Sequence, residues 1–305
     1  MEPSLTSPRS HLRRRLRRGA VAISMLLVLW VSAMLAAVDS LTSRMHRPFE
    51  EPLPERYSGN GESLRLKTSD GEELGAWYFP GENDRLAVVL LHGNQGSRSA
   101  RINELTFLRE QGCPVLTVTM RTHGDSTGEF NDFGYSSRHD VMAAVRKLRS
   151  RCPQHRLGVW AGSLSAAASI FAAPEVADDV DAWLLECPYQ DLRTALQRRL
   201  NLRLPVPIAD IAEWNLLSAA EFQLPYWQEI SPVKAARSFP RRANVLLIAG
   251  GRDTRATPDE ARAIAAEIGR SARVIVVENA DHMQTFAVDQ SPYRAWLADS
   301  LAHPK

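Results

Sequence analysis

Serine, aspartate and histidine side chains acquire a joint chemistry when they can meet. In this chain Ser163, Asp253 and His282 each stand just beyond an apolar run, in the stretches VWAGSLS, VLLIAGGRD and VIVVENADH. A serine hydroxyl is a weak nucleophile until a base removes its proton. A neutral histidine does this near pH 7. A carboxylate completes the set by holding the imidazole in one tautomer and stabilising its protonated form. Each residue also has an ordinary structural role: serine caps helices, aspartate caps turns, and histidine often sits on a surface. Taken together, and each after a strand-like run, they point to nucleophilic attack on an acyl carbon.

The surroundings of the serine sharpen that reading. Ala161-Gly162-Ser163-Leu164-Ser165 leads from an apolar strand into small residues that favour helix. A nucleophile elbow there reads G-x-S-x-G, because strand and helix pass very close. Ala161 and Ser165 stand in the two glycine places, and both are among the smallest replacements. Ser163 is the expected nucleophile rather than Ser165, since the second choice would run the strand through Gly162 and Ser163, poor strand residues. The backbone N–H groups of Leu164 and Asn94 are the candidates for stabilising an oxyanion. Asn94 lies in His92-Gly93-Asn94-Gln95-Gly96, after a second apolar run, and Arg121-Thr122-His123-Gly124-Asp125-Ser126-Thr127-Gly128 follows a third.

These stretches occur in a set order: HGN, R-x-H-G-x-S-x-G, the serine turn, G-x-x-D and a late histidine. From about Ser63 to the C-terminus the chain thereby resembles the α/β-hydrolase superfamily, in its serine esterase and serine aminopeptidase-like group. The resemblance implies cleavage of an ester, thioester or amide through an acyl-serine intermediate, carboxylesterase-like first, with no cofactor. It assigns Ser163, Asp253 and His282 as the triad. A serine peptidase of the same fold and a hydrolase-fold protein that binds without turnover are the alternatives. Glu186 and Asp191 are the reserve acids. His92 is read as a brace for the Asn94 loop, and His123 and Asp125 as holding their own loop.

The elements that must position these residues alternate. Strands are expected at SLRLKT and LGAWYF, separated by the turn Ser69-Asp70-Gly71, then at RLAVVLL, PVLTVTM, RLGVWA, VDAWLLE, ANVLLIAGG and ARVIVVE. Helices are expected at ARINELTFLREQG, SRHDVMAAVRKLRS, LSAAASIFAA, PDEARAIAAEIG and SPYRAWLADSLAH. That order predicts an α/β fold, a mostly parallel sheet of about eight strands with helices on both faces. In such sheets chemistry gathers at the carboxyl ends of the strands. Residues 188–232 break the alternation after the sixth strand. The resemblance places a lid or cap there, with Trp214, Phe222, Tyr226 and Trp227 either lining a substrate pocket or filling the insertion's own core.

The N-terminus has a different composition. The first 18 residues hold six arginines and one glutamate, so the formal net charge of +2 divides into +5 there and −3 on the remainder. A slightly acidic body does not suggest nucleic-acid binding. Ala20 to Val38 carries no charge and nearly matches the roughly 30 Å hydrocarbon core as a helix. The expected division is a basic cytoplasmic N-terminus at 1–19, a transmembrane anchor at 20–38, a proline- and charge-rich tether at 39–61 and the hydrolase domain at 62–305. Arginines before the span place the N-terminus in the cytoplasm and the body outside, periplasmic in a Gram-negative source. A cleaved signal peptide is the rival reading. Cys113, Cys152 and Cys187 form no C-x-x-C, and a single Cys113–Cys152 bridge is possible. No metal-binding spacing and no dinucleotide fingerprint occurs.

Overall fold

The computed structural model describes residues 8–43, 49–202 and 204–302, with the side chains of 8–11, 40, 41, 219, 220, 222 and 223 outside the description. Helix α1 (Pro8–Thr42) comes first. Strands β1 (Glu62–Lys67), β2 (Glu73–Phe79) and β3 (Leu86–Leu91) follow, then α2 (Ile102–Glu110), β4 (Val115–Val118), α3 (Arg138–Arg151), β5 (Arg156–Gly162), α4 (Leu164–Ala172) and β6 (Ala182–Glu186). Helices α5 (Leu192–Asn201), α6 (Val206–Gln223) and α7 (Pro232–Ala235) form the insertion before β7 (Asn244–Gly250). The chain closes with α8 (Pro258–Ile268), β8 (Ala272–Val277), α9 (Thr285–Val288) and α10 (Ser291–Ala302).

The eight strands make one sheet in the order β1-β2-β4-β3-β5-β6-β7-β8. The first two pair antiparallel, and β2 runs antiparallel to β4. All remaining pairs are parallel. This is the α/β-hydrolase fold, as expected. Period-two alternation within the central strands feeds two cores. In β3, Ala87, Val89 and Leu91 join the layer under α3, α4 and α8. Leu86, Val88 and Leu90 join the opposite layer with Leu105 and Leu108 of α2 and Trp296 of α10. A strand buried on both faces reads as an unbroken apolar run, which is why RLAVVLL shows no polar alternation.

Two expectations change. Cys113 lies in one core layer and Cys152 in the other, on opposite faces of the sheet. Both thiols, and that of Cys187, are free and buried, so the Cys113–Cys152 bridge does not form. Of the segment read as a tether, residues 44–48 lie outside the described residues, and the described parts are not a loose linker. Helix α1 continues through residues 39–42, and residues 49–61 pack on the body. Glu51 is buried there, accepting from Ser97 Oγ at 2.5 Å, Ser99 N at 3.1 Å and Thr119 Oγ1 at 2.6 Å, and pairing with Arg98 Nη1 at 3.1 Å. Within α1, Leu12–Asp39 is long and apolar enough to cross a bilayer.

Beneath the carboxyl ends of the central strands lies a buried charge. Glu186, the last residue of β6, accepts from Arg101 Nη2 at 2.5 Å, Trp160 Nε1 at 2.7 Å, Tyr293 Oη at 2.6 Å and Thr285 Oγ1 at 3.0 Å. Burial alone would raise its pKa, but the Arg101 charge and these hydrogen bonds outweigh burial and hold it below the usual carboxylate value. Breaking a buried pair by removing one partner leaves an uncompensated charge. Arg101→Leu is therefore expected to lower the unfolding free energy by about 3–5 kcal/mol, read from the urea midpoint of the purified protein. With its folded pKa depressed, Glu186 stabilises the fold at neutral pH and loses that contribution as pH falls through the folded value. The gap between wild type and variant should narrow on acidification.

Candidate active site

Ser163 joins β5 to α4 with φ 52° and ψ −108°, outside the regions that non-glycine residues favour. The turn lifts the hydroxyl clear of the strand. Ser163 Oγ lies 2.9 Å from His282 Nε2. His282 Nδ1 lies 2.7 Å from Asp253 Oδ2. The three side chains expected from the sequence are thus brought together in one hydrogen-bonded row. Asp253 Oδ1 also accepts from the backbone N–H groups of Arg255 at 2.8 Å and Ala256 at 3.0 Å. Burial alone would raise the Asp253 carboxyl; the His282 bond and charge and these two donors outweigh it and hold the pKa low. An ionised Asp253 accepts the hydrogen bond of Nδ1–H, which fixes that tautomer and leaves Nε2 free to accept from the serine.

Backbone contact brings the acid and histidine loops together. A side chain at Gly250 would collide with the carbonyl of Ala280, and one at Gly251 with the backbone of Glu278. The two glycines that end VLLIAGG let the loops after β7 and β8 lie main chain on main chain, bonded from Gly251 N to Val277 O at 2.9 Å and from Arg252 N to Ala280 O at 3.0 Å. This approach sets the reach from Asp253 to His282. The reserve acids are committed elsewhere. Glu186 is enclosed by its four donors, and Asp191 caps α5 by accepting from Thr194 N at 2.8 Å.

The elbow also explains its altered glycines. Ser165 is fully buried, and its hydroxyl accepts from Gly162 N at 2.9 Å and donates to Gly162 O at 3.1 Å. The side chain that replaces a glycine is folded back as a clasp on the turn, away from His282. Gly162 lies against the Met283 side chain beside His282, and a Cβ there would displace the Met283 methyl. Across the cleft Gly93 approaches so closely that a Cβ would stand 3.2 Å from Ser163 Cβ.

His92 fixes that approaching loop. Its Nε2 accepts from Met120 N at 2.9 Å, so Nδ1 carries the proton and donates to Gly93 O at 2.6 Å. Burial first, and His123 second, hold its pKa well below the ordinary value, and it stays neutral. Asn94 lies in the same loop, its side-chain oxygen accepting from Asn131 Nδ2 at 3.0 Å. Leu164 is the first residue of α4, where an N–H has no acceptor within the helix.

The insertion supplies an apolar cluster beside the histidine. Tyr226 and Trp227 pack there with Phe133 and with Met283, the residue after His282. Trp214 does not join them: it is 70% exposed on the outer side of α6, because the helix turns its alanine and leucine stripe inward instead. The side chain of Phe222 lies outside the described residues. A more polar opening of about 450 Å³ borders the other side of His282, with Arg252, Arg255 and Asn279 in its wall. Donor atoms of Cys187, Asp253 and His282 lie within 4.8 Å of one another. Burial and the nearby Asp253 charge push the Cys187 thiol up, which keeps it protonated and a poor metal ligand.

Several site neighbours escaped the sequence reading. Arg101, Asn131 and Met283 act through long-range contacts that no local motif announces. Among the described residues, six non-glycine residues have positive φ: Gln95, Thr122, Phe133, Ser163, Cys187 and Met283. All six lie in loops that follow the carboxyl ends of strands.

Fold and site geometry together define an α/β hydrolase architecture. A profile of the alpha/beta hydrolase family matches residues 88–298, and the chain belongs to that family. Among relatives, the uncharacterized protein Rv2307c of Mycobacterium tuberculosis is 25% identical over 273 residues, 87% of this chain and 89% of that one. An uncharacterized membrane protein of Saccharomyces cerevisiae, YNL320W, is 26% identical over 136 residues, 44% of this chain and 48% of that one. Among solved structures, the Pyrococcus furiosus esterase Pf2001 superposes with a TM-score of 0.67 at 22% identity, covering 84% of this chain and 98% of that one.

The clasp can be tested apart from any activity. Ser165→Ala leaves the buried Gly162 N–H without its acceptor, which should lower stability by about 1–3 kcal/mol. A thermal melt of the purified protein reads this, and an unchanged midpoint would remove the clasp from the account.

Proposed function

We propose that this protein is a membrane-anchored serine hydrolase that cleaves an ester, thioester or amide through an acyl-serine intermediate, with carboxylic esters first. The observation that carries the reading is the row from Ser163 Oγ to His282 Nε2 at 2.9 Å and from His282 Nδ1 to Asp253 Oδ2 at 2.7 Å. In this scheme Ser163 Oγ attacks the substrate carbonyl while its proton passes to Nε2. Asp253 stabilises the imidazolium. The N–H groups of Leu164 and Asn94 receive the oxyanion. Collapse of the tetrahedral intermediate expels the leaving group, which takes the proton from His282. Water, activated by the same imidazole, then releases the acid. Tyr226 and Trp227 form part of the apolar wall for the acyl group, and no cofactor enters the scheme.

The anchor reading rests on α1. Its apolar segment spans Leu12–Asp39, and arginines crowd its beginning. Positive charge stays on the cytoplasmic side, so the body lies on the opposite face of the membrane. The likeness to a yeast membrane protein supports an anchor without bearing on orientation.

A fluorophosphonate probe should label the wild type, and Ser163→Ala should abolish labelling. A wild type that never labels would favour a hydrolase fold that binds without turnover. Asp253→Asn should keep the fold and lower kcat by about 10²- to 10⁴-fold, because the imidazole loses its orienting carboxylate. A matched panel of acyl esters and amides separates esterase from peptidase: faster amide cleavage would overturn the ester preference. Protease added to spheroplasts should digest the body and spare a short N-terminal stub, and a protected body would reverse the orientation.

A further inference from the structure

The insertion packs on α1, and the place of contact is informative. Val38 of α1 and Leu216 of α6 are buried against each other, with Met34 and Ala37 on one side and Leu196 and Leu200 on the other. Met34 is about 6 Å of helix inside Val38, within the apolar span. Whatever covers that last turn sits at the depth of the last turn. The lid therefore reaches the membrane boundary if α1 crosses the membrane.

The outer surface of the lid suits that depth. Outside α1, nine large apolar side chains are exposed among the described residues, and five of them are Leu202, Val206, Ile208, Ile211 and Trp214. They fall within thirteen consecutive positions, while Ala209 and Ala212 of the same stretch, and Leu216 just beyond it, are buried. A patch this concentrated marks an interaction surface rather than scattered surface residues. Trp214 has the amphipathic ring favoured at the headgroup level. Asp210 shares the exposed face and limits the depth to that level, above the hydrocarbon.

The second attachment of α1 leads to the active site. Thr42 O at its end accepts from Asn131 N at 2.5 Å, and Ser43 bridges to Phe130. Asn131 in turn holds the Asn94 side chain. The inner side of the lid packs toward Met283 through Tyr226 and Trp227. The membrane end of α1 thus lies between the lid and the loop that approaches Ser163.

We infer that the exposed face of the lid from Leu202 to Trp214 lies in the headgroup boundary of the bilayer that α1 crosses, so that the active site draws lipid esters from that leaflet. The contact of the lid with Met34 and Val38, at the end of the apolar span of α1, selects the bilayer over a second protein as the occupant. The inference rests on the anchor and hydrolase readings above and adds the substrate class and its route of entry.

Three single-cysteine labels on the full chain test it, since the native thiols are buried. Leu27→Cys lies in the span, Ile211→Cys on the lid, and Asp259→Cys on the exposed start of α8. Each is labelled with an environment-sensitive fluorophore and reconstituted in phosphatidylcholine vesicles that carry a nitroxide near the headgroup end of the acyl chain. Positions 27 and 211 should be quenched and position 259 should not. Quenching at 27 with none at 211 would overturn the inference and leave the anchor standing. No quenching at 27 would overturn both. Cross-linking of two chains through the label site at 211, without lipid quenching, would assign the face to a second copy and overturn the lipid occupant.

In a second arm, Val206→Asp combined with Ile211→Asp should lower hydrolysis of a long-chain ester held in vesicles by about tenfold or more. The same variant should cleave a soluble short-chain ester at the wild-type rate. Equal losses on both substrates would overturn the entry route. The quenching arm needs no turnover and decides where the lid lies, and a wild type that cleaves neither ester would overturn the lipid-ester substrate.

Discussion

A carboxylate cut off from solvent must be surrounded by donors or become neutral, and Glu186 obeys the first alternative. Its partners come from the loop before α2, from β5, from α9 and from α10, and its backbone carbonyl accepts from Ser163 N at 2.8 Å. One ionised group therefore joins the strand that carries the serine to the helices that follow the histidine. Trp160 stacks on Tyr293 at 4.9 Å between ring centroids and meets Phe286 and Trp296 edge-on, closing the layer around the charge. The loops above can adopt costly conformations because this layer below them is fixed.

The sheet was legible because its central strands are buried on both faces and its helices on one. RLAVVLL and ANVLLIAGG read as central strands, and TPDEARAIAAEIG carries its capping box, Thr257 with Glu260, and its closing glycine in the letters. Knowing that chemistry gathers at strand ends then singled out Ser163, Asp253 and His282, which the fold does bring within hydrogen-bond reach. The glycines were legible in kind but not in purpose. Gly250 and Gly251 looked like the end of a strand; their role is to let two main chains touch.

What the letters hid depends on partners distant in sequence. MHRPFEEPLPERYSGNG has the composition of a linker, yet Glu51 is enclosed by Ser97, Ser99 and Thr119. Proline and charge describe a segment's intrinsic preferences, not whether a distant arginine awaits it. The aromatic content of the insertion likewise could not say which rings face inward. Tyr226 and Trp227 do, and Trp214 does not, because the inward stripe of α6 is built from alanine and leucine. Ser165 was read as a tolerated intrusion, whereas it bonds the backbone of the turn twice.

The six left-handed residues at the carboxyl edge of the sheet give the molecule two unlike ends. Each such conformation stores on the order of 1–3 kcal/mol that the surrounding structure must offset. The amino edge carries no comparable load among the described residues. Heat acts on the whole molecule, but the end already under load needs the smallest further push. The site edge should consequently relax while the sheet beneath it is intact, and thermal inactivation should run ahead of thermal melting.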